Sequence, residues 1–160
     1  MRELVVYDGK PSARPAFIAR VTAVFEEHLS DNGLRLTGQR RAILDHLLGS
    51  DRHLSQDDIY RSLRGRGIGR ATVFRTLKTL QDCGLASPVI GRDGVPRFEV
   101  DRDRPHHDHL ICIECGRIQE ITWPALEKLQ QEACRRAGFV AKWHRHEVFG
   151  LCRPCAKDQA

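Results

Sequence analysis

Two Cys-x-x-Cys pairs, Cys112-Ile-Glu-Cys115 and Cys152-Arg-Pro-Cys155, carry the clearest chemistry in the 160-residue sequence. Each pair puts two thiols on one short turn, at the spacing zinc sites use. Two such turns complete a tetrahedral, closed and therefore structural Cys₄ zinc site. A redox Cys-x-x-Cys would account for one pair and leave the second without a role. Cys83 and Cys134 have no partner at ligand spacing and read as structural thiols.

The second constellation is His106-His107-Asp108-His109. In an extended segment successive side chains face opposite ways. His107 and His109 then share one face, and His106 and Asp108 share the other. One tetrapeptide can thus serve two metal sites, and imidazole with carboxylate suits iron, manganese or zinc. Glu99, Asp101, Glu120, Glu127, His144 and His146 are further ligands nearby, with His53 in the N-terminal part. A zinc-stabilised interaction module is one competing class, and a zinc enzyme is the other. The enzyme is disfavoured because no His-Glu-x-x-His or Gly-x-Ser-x-Gly motif accompanies the cluster, so no catalytic residue and no small organic substrate are assigned. Gly67-Ile-Gly69 lacks the rest of a phosphate-binding loop and reads as a turn. His28 and His46 read as ordinary members of amphipathic helices.

The charge is unevenly distributed. The net formal charge is +5, and residues 34–78 hold 10 Lys/Arg against 4 Asp/Glu. A basic surplus confined to one segment is the footprint of a phosphate-backbone binder. No apolar run reaches the length of a membrane span and no signal segment opens the sequence, so a cytoplasmic location with no membrane partner is expected. Six cysteines in that compartment read as metal ligands or thiols rather than disulfides.

Local signals give the elements that must position these groups. Phe17, Ile18, Val21, Val24, Phe25 and Leu29 fall at helical spacing within 14–31. A second helix starts at Thr37, whose hydroxyl can cap it, and stops at Gly49-Ser50. A third starts at Ser55, where Ser55-Gln-Asp-Asp58 has the capping-box pattern with a shorter acid. Gly67-Ile-Gly69 closes it with a tight turn, and a fourth helix runs from Arg70 to Asp82. Its core stripe is Val73, Leu77 and Leu80. Arg75, Lys78, Ala71 and Thr79 lie opposite, with Phe74 at the border. Such a helix suits the DNA major groove. Arg75 and Lys78 can reach phosphates or guanine edges, and the Phe74 ring a thymine methyl; the alternative is that Phe74 packs sideways into the core.

Two β-branched stretches, 86–90 and 95–100, follow around an Asp-Gly turn and read as a hairpin, with Pro88 and Pro96 arguing for edge strands. Three helices and a hairpin describe a winged helix-turn-helix. Beyond it, 109–113 and 117–122 read as strands, Pro124 to Arg136 as a helix with Leu126, Leu129 and Ala133 inward, and 139–149 as one or two further strands. The expected organisation is α+β. An N-terminal winged-helix domain covers 1–100, including an extension 1–32 that begins as a short strand or loose tail. A hinge at 101–105 and a C-terminal α/β domain at 106–160 complete it.

Taken together, Leu34-Arg-Leu-Thr37-Gly-Gln39-Arg40, the run Ile68 to Leu77, Arg97-Phe98-Glu99, His106 to Gly116 and Gly150-Leu-Cys152 resemble the ferric uptake regulator family over about 33–156. The resemblance implies a homodimer that binds operator DNA as a metal-responsive repressor, with the C-terminal domain as the dimerisation domain. It implies a regulatory site of His53, Glu99, His107, His109 and Glu120, taking Fe²⁺, with Zn²⁺ or Mn²⁺ possible in its place and nickel a further alternative. A third site would use His106, Asp108, Glu127 and His144, a partition that agrees with the strand-face argument. Arg35 would lie near the minor groove. Arg70, Thr72, Phe74, Arg75 and Lys78 would face the major groove, with Phe74 replacing the usual tyrosine. One extra residue between Glu99 and His106 leaves Asp101 as an alternative to Glu99. Peroxide sensors of the family typically carry Asp in place of Glu120, and zinc-uptake regulators often carry a cysteine near Glu99.

Overall fold

The computed structural model describes residues 5–6, 15–50, 52–91, 93–100 and 106–158, with only the backbone of 5–6. Asp101 and the expected hinge at 101–105 lie outside the described residues. The chain divides into two compact units, Lys10–Arg104 and Met1–Gly9 with Pro105–Ala160.

The first unit begins with helix α1 (Pro15–Asp31), which buries Phe17, Val21, Phe25 and Leu29. Thr37 caps α2 (Gly38–Leu48) by accepting the Arg40 N–H at 3.3 Å. A two-residue strand β2 (Leu54–Ser55) leads into α3 (Gln56–Leu63). There the capping box is complete: Asp58 N–H donates to Ser55 Oγ at 3.1 Å, and Ser55 N–H donates to Asp58 Oδ2 at 3.0 Å. A 3₁₀ turn at Arg64–Arg66 ends at Gly67, whose φ of 73° is the left-handed conformation a tight reversal needs. Helix α4 (Arg70–Asp82) follows and buries Val73, Thr76, Leu77 and Leu80.

Strands β3 (Ala86–Ile90) and β4 (Pro96–Val100) form the expected hairpin in register Ala86↔Val100 to Ile90↔Pro96. The edge assignment holds for β3, which carries Pro88, and needs correction for β4. The sheet order is β2-β4-β3, so β4 is central. Pro96 is tolerated there because it is the first residue of the strand, beyond the two positions where β2 pairs. This is a winged helix-turn-helix.

The second unit is built on a four-stranded sheet. Its strands are β1 (Val5–Val6), β5 (Asp108–Cys112), β6 (Ile118–Thr122) and β7 (Glu147–Gly150), in the order β1-β6-β5-β7. Helix α5 (Pro124–Arg136) lies in the connection between β6 and β7, and a short α6 (Arg153–Lys157) follows. Strand β7 runs parallel to β5, as a crossover through a helix permits. Three expectations change here. Val5 and Val6, assigned to the winged-helix domain by their position in sequence, belong to the sheet of the second unit because β1 pairs with β6. The stretch 139–149 contains one strand, beginning only at Glu147. Leu126, Leu129 and Ala133 do not face a core among the described residues, for α5 has no buried residue and Leu129 is 69% exposed.

Candidate metal centres and nucleic-acid interface

The four paired cysteines come together. Cys112 ends β5, and a turn closed by Gly116 (φ 70°) carries Cys115 back beside it, with Gly116 N–H donating to Cys112 O at 3.0 Å. Ile113 N–H donates to Gly150 O at 2.8 Å, which brings the second pair alongside. Cys152 is the N-cap of α6, with Pro154 in its first turn and Cys155 one turn in. The four sulfurs lie within 4.8 Å of one another, Cys115 Sγ and Cys152 Sγ at 3.7 Å. Zinc–sulfur bonds of 2.3 Å in a tetrahedron give sulfur–sulfur edges of about 3.8 Å, so the donor set fits that ion. The six cysteines form no disulfide.

The backbone supports a thiolate. The N–H groups of Cys115 and Cys152 point at the Cys112 sulfur, the latter at 3.3 Å, and bring its thiol down to about 6. Hydrogen bonding with Cys152 and Cys115, together with the nearby Cys112 charge, pushes Cys155 up to about 12. Four thiols this close cannot all ionise without a cation among them.

The third-site residues also converge. Asp108 Oδ1 lies 3.1 Å from His106 Nε2. His144 Nε2 is 2.8 Å from His106 Nε2 and 3.1 Å from Glu127 Oε1, and His106 Nε2 is 3.4 Å from Glu127 Oε1. Ligand bonds of about 2.0–2.1 Å imply tetrahedral edges of about 3.3 Å, so these atoms suit one small divalent ion. Asp108 is only 3% exposed, and its second oxygen, Oδ2, is buried with no hydrogen-bond partner. An unpaired buried carboxylate oxygen is costly, and a cation offsets that cost. Glu127 reaches the cluster from the first turn of α5.

The regulatory-site residues fall on both units, each carrying a paired half. In the winged-helix unit, the β2–β4 register of Leu54↔Phe98 continues to set His53 opposite Glu99. His53 Nε2 is 3.1 Å from Glu99 Oε1. In the other unit, His109 is directly paired with Glu120 across β5 and β6, and the His107 and His109 rings are 5.0 Å apart.

The α4 face decides between the two alternatives left open at Phe74. Phe74 is 56% exposed rather than packed into the core, and Arg75 and Lys78 are exposed beside it. Thr72 is half-buried. Arg70 is engaged within its own unit: its guanidinium pairs with Asp57 and lies 4.2 Å over the Tyr60 ring. Arg35 is exposed, and Arg40 Nη1 donates to its carbonyl at 2.6 Å. Arg40 therefore fixes the backbone that presents Arg35, a role sequence reading missed. His146 was named among the available ligands and assigned to no site. Its Nδ1 is 3.4 Å from Asp108 Oδ1, and its spacing of two residues from His144 was the available signal.

A sequence profile of the ferric uptake regulator family matches residues 31–149. The chain belongs to the ferric uptake regulator family. Its relatives include the ferric uptake regulation protein of Bordetella parapertussis, 38% identical over 137 residues, covering 84% of this chain and 98% of that protein. The peroxide operon regulator of Bacillus subtilis is 37% identical over 136 residues, covering 83% and 92%. The ferric uptake regulator of Helicobacter pylori, described with three functional metal-binding sites, superimposes with a TM-score of 0.82 at 26% identity, covering 89% and 96%. Membership makes the chain a metal-responsive transcription regulator rather than an enzyme. No helix of the described residues is long and apolar enough to cross a membrane.

Proposed function

We propose that the chain is a homodimeric, cytoplasmic repressor that binds operator DNA when Fe²⁺ occupies the regulatory site, with a structural zinc in the Cys₄ cluster. The observation that carries this reading is the division of paired imidazole and carboxylate groups between the unit bearing α4 and the unit bearing the cysteines. His53 and Glu99 would hold the ion from one side of the hinge at 101–105, and His107, His109 and Glu120 from the other. When bound, the ion supplies the positive charge that offsets gathering two carboxylates. His53 and Glu99 then limit the orientations open to their own unit, so that α4 of each subunit meets its operator half-site.

Phe74, Arg75 and Lys78 would enter the major groove, with Thr72 and Arg70 at the start of the helix and Arg35 near the minor groove. The exposed apolar residues Leu129, Phe139, Val140, Trp143, Val148 and Phe149 of the C-terminal unit support dimerisation. Glu120, rather than aspartate, favours metal sensing over peroxide sensing. His106, Asp108, Glu127 and His144 would hold a third ion.

The test is duplex DNA selected from a random pool, titrated with zinc-loaded protein in the presence and absence of Fe(II), Mn(II), Zn(II) and Ni(II). One metal is expected to tighten binding roughly 5–150-fold, the usual range for allosteric coupling. Equal affinity under every condition contradicts the proposal, and a response confined to another metal reassigns the signal.

A further inference from the structure

His146 stands outside every ligand set described so far, yet its ring is fixed against the third cluster. The segment entering β7 is tied to β5 by the His109 N–H, which donates to His146 O at 3.2 Å. That bond holds the backbone of His146 beside Asp108. The His146 ring lies 4.9 Å from the His144 ring, centroid to centroid. Its Nδ1 is enclosed, has no hydrogen-bond partner, and is 3.4 Å from Asp108 Oδ1.

The chemistry of Asp108 gives this nitrogen a use. Asp108 Oδ1 lies 3.1 Å from His106 Nε2. A histidine can ligate only through the lone pair of an unprotonated nitrogen. Once Nε2 of His106 turns its lone pair to a metal, it has no proton to share with Asp108. The carboxylate is then buried with its other oxygen unpartnered. Among the described residues of this unit, the one enclosed imidazole nitrogen without a hydrogen bond is His146 Nδ1. A separation of 3.4 Å is long for a charge-assisted bond, which settles near 2.7–2.9 Å, so the bond requires a small rotation of the ring.

We propose that His146 is a positioning residue of the third site: its Nδ1–H donates to Asp108 and fixes which carboxylate oxygen faces the metal. This rests on the reading of His106, Asp108, Glu127 and His144 as a metal site. Carboxylate ligands are oriented by such outer hydrogen bonds, and their loss weakens metal binding about 10–100-fold.

The experiment uses full-length, zinc-loaded protein with Co(II) as the probe, titrated against a competing chelator and followed by visible absorption. His144→Ala is expected to lose one equivalent of Co(II). His146→Leu is expected to keep that equivalent, bound about 10–100-fold more weakly and with an altered absorption band. His146→Asn places an amide N–H close to the position of Nδ1 and is expected to restore most of the affinity. His146→Gln, whose amide lies further out, is expected not to.

Wild-type affinity in His146→Leu overturns the proposal, as does an Asn variant no tighter than the Gln variant. If His144→Ala binds as much Co(II) as wild type, the cluster is not a metal site and both readings fall. Loss in His144→Ala with no change in His146→Leu removes only the role of His146.

Discussion

The two units reach a stable fold by different means. The winged-helix unit encloses its own core: Phe25, Leu29, Ile43, Leu44, Ile59, Val73 and Leu80 are essentially inaccessible, supplied by all four of its helices. Among the described residues of the C-terminal unit, only Ile111, Cys112 and Ile121 are buried apolar groups. Helix α5 buries nothing, and Trp143 is 83% exposed. A unit with so little core needs a staple or a partner. The Cys₄ cluster supplies the first, and a second copy is the proposed source of the other. The winged-helix unit is thus self-sufficient, whereas the C-terminal unit depends on what it binds.

The largest test of that contrast is removal of the cysteine cluster. In Cys152→Ser the C-terminal unit is expected to lose cooperative structure while the winged-helix unit keeps its own. Structural zinc contributes roughly 10 kcal/mol or more in small folds, comparable to a whole domain's stability of about 5–15 kcal/mol. Hydrogen exchange read separately over 15–100 and 106–158 checks it; equal loss of protection in both would break the contrast. Leu80→Ala sharpens it from the other side. That variant is expected to cost the winged-helix unit about 2–5 kcal/mol, with zinc content unchanged by metal analysis.

A smaller effect is expected at the proposed dimer surface. Leu129→Asp introduces a charge on the bare face of α5 and is expected to weaken self-association by about 2 kcal/mol, or roughly 30-fold. Because Leu129 is exposed, the stability of the isolated subunit is expected to move by less than about 0.5 kcal/mol. Sedimentation velocity over a concentration series separates the two quantities. A variant that dimerises as before would move the interface off α5.

The smallest effect concerns the wing. Arg97 pairs with Asp93 through Nη2 and Nη1, at 2.6 and 3.1 Å, and this holds the Asp93 carboxyl down to about 2. A depressed carboxylate stabilises the fold above its ordinary pKa of 3.8 and loses that contribution as pH falls from about 4 to 2. Asp93 is exposed, so solvent screening limits the gain to less than about 1 kcal/mol. Arg97→Met is expected to flatten the wing's pH dependence in that window, as followed by amide chemical shifts of 86–100.

Structure set by neighbours in the chain is legible in the sequence. Thr37 and Ser55 cap the helices they were expected to cap, Gly67 makes its turn, and the Cys-x-x-Cys spacing brings sulfurs together because each pair sits on one turn. Structure set by a distant partner is not legible there. Strand β2 has two residues and no periodicity of its own; it is a strand only because β4 lies beside it, and without it Pro96 read as an edge residue. Val5 and Val6 pair with Thr122 and Ile121, over a hundred residues away. Leu126, Leu129 and Ala133 show that an apolar stripe reports a face to be covered without saying by which chain. Phe74 was ambiguous because a residue at the border of a helical stripe can turn either way.

The division of labour between the units is tested most directly in His53→Ala. Zinc content, Fe(II) binding and DNA affinity are measured on one preparation of that variant and of the wild type. The variant is expected to retain one zinc per chain and to bind DNA equally with and without Fe(II), because the Cys₄ site is scaffold and the winged-helix unit has lost its hold on the regulatory ion. A variant that loses its zinc, or whose DNA affinity still rises with Fe(II) as in the wild type, contradicts the account.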